Sequence, residues 1–374
     1  MKLTKRHDAL TSTFEKKDVW ALEEKVDAAE RDGRERFAYF TDLDVIHWFL
    51  YAEEALDASD ERSERTTREY EMELTQFVTN VLTHGDAIGL DLDPDVARES
   101  LFRAFDVRHV RRYQRWLKEE SPFVQKNGSY AKATLARKTN ILSHFFSSLY
   151  EARYIKRPLH HGLKRASMRA DDRPNRDLHT SDVIQLLDTF RAIDHPVMYA
   201  IVQTLVTTGM RNEELCRLMI GDVKQWAHDP YVRVIGKGNK RRDIPLKPST
   251  CRAIDACRAV RGMAPVASSD PEEPLFVTSR GRAYSPSYLA QYVKKEIERI
   301  RPLLSLETEA VLTPHVFRHA FAIISHEQGV DVFDIMRSLG HEKIETTMIY
   351  LQKVFERERH ASTQWKTTAN GHWT

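Results

Sequence analysis

Apolar residues recur at helical spacing through most of the chain, and the pattern predicts a mainly α protein with one short β-hairpin. Trp20, Leu22 and Val26 lie in a Glu/Lys-rich amphipathic run, and a second helix from Asp44 through Tyr51 follows a cap at Thr41 or Asp42. Asp57 to Glu64 is polar and predicts a connection. Tyr70, Leu74, Phe77, Val78, Val81 and Leu82 mark a helix that ends in a Gly/Asp/Pro-rich break from Gly85 to Pro94. Val107, Val110, Tyr113, Trp116 and Leu117 mark another, and Ser121 to Gly128 reads as a loop. A third helix, Ala131 to Tyr150, turns Leu135, Leu142, Phe145, Phe146 and Leu149 inward; these aromatics are expected in a core rather than on a stacking platform. Residues 156–180 are polar and irregular. Thr180-Ser181-Asp182 then caps a helix through Phe190, and the apolar stretch His195 to Thr208 predicts a buried helix. Thr208-Gly209-Met210 breaks it, and Arg211 to Met219 starts the next. Tyr231–Ile235 and Arg241–Leu246 read as strands around Gly236-Lys237-Gly238-Asn239-Lys240, a turn with Gly and Asn where positive φ is needed. Helices dominate from Ser249 onward.

The 374 residues exceed one typical core. No apolar run approaches membrane-spanning length, and Lys2, Lys5 and Arg6 precede no apolar signal segment, so a cytoplasmic protein is expected. Cys216, Cys251 and Cys257 form no C-x-x-C pair, and reduced thiols are expected. No histidines stand at metal-ligand spacing; His160-His161 lies in a Pro/Gly-flanked loop and is a weak candidate.

The net charge of +2 hides an asymmetry. Residues 1–100 carry 13 Lys/Arg against 25 Asp/Glu, whereas residues 101–165 carry 15 against 4. The acidic part would repel phosphate and is expected to contact protein. The basic part suits nucleic acid. Its outward candidates are Arg108, Arg111, Arg112, Arg115 and Lys118 on one helix and Lys132, Arg137 and Lys138 on the next; Lys164 and Arg165 follow.

The stretch that organises the chemistry is Leu312-Thr313-Pro314-His315-Val316-Phe317-Arg318-His319-Ala320, followed by Leu339-Gly340-His341 and Tyr350. Pro314 suits a first helical turn with Thr313 as N-cap. His315 and Arg318, three apart, then share a face that suits a phosphate-like anion. Thr207-Thr208-Gly209-Met210-Arg211-Asn212-Glu213-Glu214-Leu215 and the hairpin join this set. With T-G-x-R-x-x-E-L, G-K-G-x-K, H-x-x-R, L-G-H and a tyrosine in that order, the chain resembles the tyrosine recombinase family (phage integrases, Xer- and Cre-like enzymes) over residues 65–360.

Residues 1–64 fall outside the match and are expected to form an acidic N-terminal helical extension; the resemblance implies a small helical core-binding, SAM-like domain (65–160), a basic linker (161–177) and an α-rich catalytic domain with a small antiparallel sheet (178–374). It implies a site-specific DNA recombinase or integrase that works through a 3′-phosphotyrosine and a Holliday junction. Its partners would be duplex DNA bearing a recombination site and three further copies of the chain, a tetramer on two sites that exchanges a C-terminal segment from Leu351 to about Ser362, with Val354 and Phe355 as contacts. Accessory proteins are compatible with it, a membrane is not, and the location is the nucleoid. A type IB topoisomerase, a telomere-resolving enzyme and an inactive DNA-binding regulator stay open as alternatives.

The physics of the set agrees. An attacked phosphodiester develops charge on its non-bridging oxygens, which have to be clamped. Arg211 and Arg318 suit that task, because guanidinium is planar and always charged. Tyr350 is the expected nucleophile, with His315 to accept its proton. His341 is expected to hydrogen-bond a phosphate oxygen, and Lys237, at the hairpin tip, to protonate the leaving 5′ oxygen. Lys240 and Arg241 would touch DNA. These cations make metal and other cofactors unnecessary. His319 is set aside because it points roughly 100° from Arg318 on a helix. Tyr284, Tyr288 and Tyr292 lack a preceding L-G-H, and Glu214 and Asp222 are expected to hold Arg211 or local backbone.

Overall fold

The computed structural model describes residues 19–52, 63–164, 177–225, 228–236, 240–306 and 310–358. The chain divides into two compact units, Met1–Arg173 and Pro174–Thr374.

The first unit is all helical. α1 (Val19–Arg31) and α2 (Asp42–His47) come first. Thr41 caps α2, trading hydrogen bonds with Asp44, and one π-helical turn, Trp48–Ala52, extends it. α3 (Glu64–Ile88), α4 (Pro94–Glu99), α5 (Leu101–Ala104) and α6 (Val107–Glu119) follow. α7 (Pro122–Asn127) and α8 (Lys132–Glu151) complete the set. As expected, the aromatics form the core: Phe77 meets Tyr113 edge-on at 4.7 Å and Phe146 at 5.5 Å.

The boundary expected at residue 64 does not divide this core. Leu22, Val26, Phe37, Phe40, Val45, Ile46 and Phe49 are buried with Leu74, Phe77, Phe145 and Phe146 in one cluster. A polar bolt reinforces the seam. Half-buried Asp42 accepts from the Leu101 amide at 2.6 Å, the Ser100 hydroxyl at 2.5 Å and the Tyr154 hydroxyl at 2.9 Å.

Three further expectations change. The break predicted at Gly85 is helical: α3 bends at His84 (φ −119°, ψ 20°) and runs on to Ile88. The predicted loop at 121–128 contains α7, whose Phe123 stacks on Tyr130 at 4.1 Å. The start of the expected linker belongs to the first unit. Leu159 and Leu163 are buried there, and the Gln114 amide grips the Lys164 backbone through both its oxygen and its nitrogen. Residues 165–176, with Arg165, lie outside the described residues.

The second unit wraps helices around the buried α10. It opens with α9 (Thr180–Ala192), α10 (Pro196–Thr208) and α11 (Asn212–Arg217). α10 is buried nearly all round, as its apolar sequence predicts. A three-stranded antiparallel sheet follows, in the order β1 (Val223–Lys224), β2 (Tyr231–Ile235), β3 (Arg241–Pro245). The hairpin was legible; two-residue β1 was not. Val232 pairs with Ile244 and Val234 with Arg242, so one face carries Val232, Val234 and Ile244 into the core. The remaining helices are α12 (Pro248–Val260), α13 (Pro286–Ile300), α14 (Pro314–Glu327), α15 (Val332–Leu339) and α16 (Ile344–Glu358).

A smaller apolar cluster joins α14, α15 and α16: Ala322, Ile323, Ile335, Leu339, Tyr350, Leu351, Val354 and Phe355. Val354 and Phe355, expected to meet a neighbouring subunit, are therefore buried against their own chain. Residues 359–374, with Trp365 and Trp373, lie outside the described residues. The three cysteines are free thiols, and burial pushes Cys216 up to about 12 and Cys257 to about 11. No described helix is long and apolar enough to cross a membrane.

Candidate active site

Arg318 sits at the centre. It is 1% exposed, and its guanidinium is fixed by the ends of two helices. One nitrogen donates to the carbonyl of Gly209, just past α10, at 2.6 Å; another donates to the carbonyl of Leu339, the last residue of α15, at 2.6 Å. Carbonyls at helix C-termini lack intrahelical partners and carry the negative end of the dipole, so they suit a buried cation. Gly209 makes the approach achievable. Its φ is +60°, and a Cβ there would stand 2.7 Å from Phe321 and 2.9 Å from Leu339. Burial, then the charge of Arg211, pulls Arg318 down to about 10, which leaves it protonated near neutrality.

His341 is the third partner. Its Nε2 lies 2.8 Å from Arg318 Nη2, and its Nδ1 lies 2.9 Å from Thr347 Oγ1. Arginine only donates, so Nε2 accepts and the proton belongs on Nδ1, which donates to Thr347. Burial, then the charges of Arg318, Arg211 and Arg242, lowers His341 to about 4, so the ring is neutral at pH 7. Within the chain both ring nitrogens of His341 meet protein groups, Nε2 with Arg318 and Nδ1 with Thr347.

Arg211 is the N-cap residue of α11. Its amide donates to Glu214 at 2.6 Å and its guanidinium to the same carboxylate at 3.0 Å. Arg242, on β3, doubles the grip with paired bonds to Glu214 at 2.8 and 2.7 Å. Burial opposes the ionised carboxylate, but Arg242 and then Arg211 overcome it and hold Glu214 at about 2. Glu214 thus holds Arg211 as expected, and Asp222 holds local backbone by accepting from the Met219 amide at 2.9 Å. Arg242 was missed. The signal was present: it lies two residues before buried Ile244, on the inward face of a strand.

Tyr350, on α16, is 8% exposed and faces this cluster. Its phenol lies within electrostatic reach of Arg318. Three imidazoles surround its ring, with centroids at 3.8 Å for His319, 5.4 Å for His341 and 6.0 Å for His315. His315 is exposed and Arg318 buried, so the pair expected on one face reaches the tyrosine from different depths. His319 was set aside by its angle from Arg318. Measured from His315, it is one turn on and on the same face, 4.9 Å away. The rival tyrosines pack on one another: Tyr284 lies 5.8 Å from Tyr288 and 6.0 Å from Tyr292.

Lys237 lies outside the described residues. Lys240 is exposed and ion-paired with Glu342; Arg241 is exposed. In the first unit, Lys138 is a correction. It points inward, 6% exposed, with Nζ 2.7 Å from buried Glu73 and bonded to Gln76. On α6, Arg108 and Arg112 flank Asp91 at 3.1 and 3.0 Å, so part of the basic face carries its own counter-charge. Arg137 lies 3.4 Å from Glu69, while Arg111, Arg115, Lys132 and Lys164 have exposed side chains.

Residues 176–357 match the phage integrase family. The chain is 31% identical over 229 residues to the tyrosine recombinase XerC of Herpetosiphon aurantiacus, covering 60% of this chain and 71% of the relative. It is 31% identical over 235 residues to the tyrosine recombinase XerD of Chlamydia trachomatis, covering 61% and 74%. In fold it is similar to a lambda integrase dimer bound to a COC′ core site (TM-score 0.57, 15% identity, 83% of this chain and 77% of that one). It is also similar to the XerH site-specific recombinase bound to palindromic difH (TM-score 0.57, 18% identity, 86% and 96%). With an ordered motif set gathered around one tyrosine and relatives matched over more than two thirds of their length, this chain belongs to the phage integrase family of tyrosine recombinases.

Proposed function

We propose that this chain cuts and rejoins DNA at a specific site through a covalent bond between Tyr350 and a strand phosphate. The phenolic oxygen attacks phosphorus, the bond from phosphorus to the 5′ oxygen breaks, and the hydroxyl of a partner strand reverses the step. Bond energy stays in the phosphotyrosine, so no nucleotide is consumed. Arg211 and Arg318 clamp the non-bridging oxygens, where a preorganised cation stabilises developing charge most. His315, exposed beside the phenol, takes its proton; Lys237 delivers one to the leaving 5′ oxygen. His341 acts on Arg318, fixing its plane.

One observation carries this reading: the Tyr350 ring stands among three imidazoles, its phenol within electrostatic reach of buried Arg318. A structural tyrosine needs no such surroundings. The basic residues Arg111, Arg115, Lys132 and Lys164 supply the backbone contacts in this proposal. Assembly as a tetramer on two sites rests on the family and on the fold shared with a lambda integrase tetramer bound to a Holliday junction.

The test is covalent capture on a nicked duplex that releases its 5′ fragment after cutting. The wild-type protein is expected to give a denaturant-resistant adduct without added metal or nucleotide. Tyr350→Phe is expected to give none while retaining DNA binding, and an adduct with that variant would reassign the nucleophile.

A further inference from the structure

We propose that His319 is a positioning residue for the nucleophile, a flat wall that holds the Tyr350 ring in register with Arg318; this rests on Tyr350 being the group that attacks. The Tyr350 phenol lies within electrostatic reach of Arg318, and its ring meets His341 at 66°. Neither contact limits how the ring swings about its own axis. His319 does. Its centroid is 3.8 Å from that of Tyr350 with the planes 40° apart, closer than either of the other imidazoles. Rings at that separation and tilt lie largely face to face, a geometry for packing rather than for an in-plane N···H–O bond.

The wall is itself anchored. His319 is 8% exposed and shares α14 with Arg318, so the guanidinium and the ring support move as one rigid helix. His315, one turn earlier, meets His319 nearly edge-on at 80°. On the far side, α16 places Thr347, fully buried and bonded to His341, one turn before Tyr350. Two helices thus trap the phenol between a face contact from α14 and the Arg318–His341–Thr347 chain. Removing the wall leaves Arg318 and His341 in place but frees the ring. Misplacement of a reacting atom by about 1 Å costs on the order of 100-fold in rate.

The experiment compares His319→Ala and His319→Phe on the nicked duplex, reading the rate of adduct formation at saturating DNA, the DNA Kd, the thermal midpoint and the pH profile of cutting. His319→Ala is expected to slow cutting by about 100-fold with Kd little changed. His319→Phe keeps a flat ring without a titrating nitrogen; it is expected to recover most of the rate with an unaltered pH profile. If His319→Ala cuts at the wild-type rate, the proposal fails. If His319→Phe is folded but as slow as His319→Ala, or loses a limb of the pH profile, the imidazole does proton chemistry and positioning is the wrong role. Should His319→Ala not fold, the Phe variant alone decides by the same two outcomes. An adduct from Tyr350→Phe would instead overturn the nucleophile, whatever His319 does.

Discussion

Replacing Glu214 by glutamine tests the electrostatic frame under Arg211. The carboxylate is buried and receives two bonds from Arg242 and two from Arg211. Its pKa of about 2 stands against 4.5 for the unperturbed group. At about 1.4 kcal/mol per pH unit the difference is worth about 3 kcal/mol of stability. Because the folded value is depressed, this stability is fully present above pH 4.5 and is lost as pH falls towards 2. Glutamine offers one acceptor where the carboxylate offers two, and it leaves Arg242 without its counter-charge; breaking a buried pair in this way costs about 3–5 kcal/mol. Glu214→Gln is therefore expected to unfold about 3 kcal/mol more easily at pH 7. The penalty should shrink between pH 4.5 and 3, where the carboxylate of the unfolded wild-type chain takes up a proton that the folded one does not. The assay is urea unfolding at a series of pH values, with hydrogen exchange assigning the transition of the second unit. A difference below about 1 kcal/mol at pH 7, or one that stays constant down to pH 3, would refute the reasoning.

Three more outcomes follow from the same geometry. Lys138→Ala should lower the stability of the first unit by about 3 kcal/mol, because Glu73 is left charged and buried, while the salt dependence of DNA binding stays unchanged; a shallower salt slope would return Lys138 to the DNA face. Gly209→Ala should cost about 2–4 kcal/mol in a thermal unfolding series, combining a left-handed φ with overpacking against Phe321 and Leu339, and a wild-type midpoint would contradict that close approach. Thr347→Val should slow cutting by about tenfold with unchanged DNA affinity, because the Nδ1–H of His341 loses its acceptor, and nitrogen NMR of the imidazole should show the tautomer no longer fixed.

Much of the candidate site was legible because its signals are local. The Thr-Gly-Met-Arg turn, the His-x-x-Arg helix and the Gly-Lys-Gly hairpin are each set by a few neighbouring residues. What was not legible depends on partners remote in sequence. The Lys138 pattern reads as solvent-facing until Glu73, 65 residues away, turns up as its buried partner. The acidity of residues 1–100 says nothing about Phe37, Phe40 and Phe49, which join the extension to the next helices. His319 was misplaced by choosing the wrong reference on its own helix. The partners of His341 were not legible either, because a sequence cannot show that Arg318 and Thr347 lie at its two nitrogens.

The burial of Leu351, Val354 and Phe355 beside Tyr350 has one further consequence. Under the proposed chemistry, the group that severs the strand and the cations that receive its phosphate belong to one and the same polypeptide. Each copy in a larger assembly would be self-sufficient at the position it occupies, with no blade borrowed from next door.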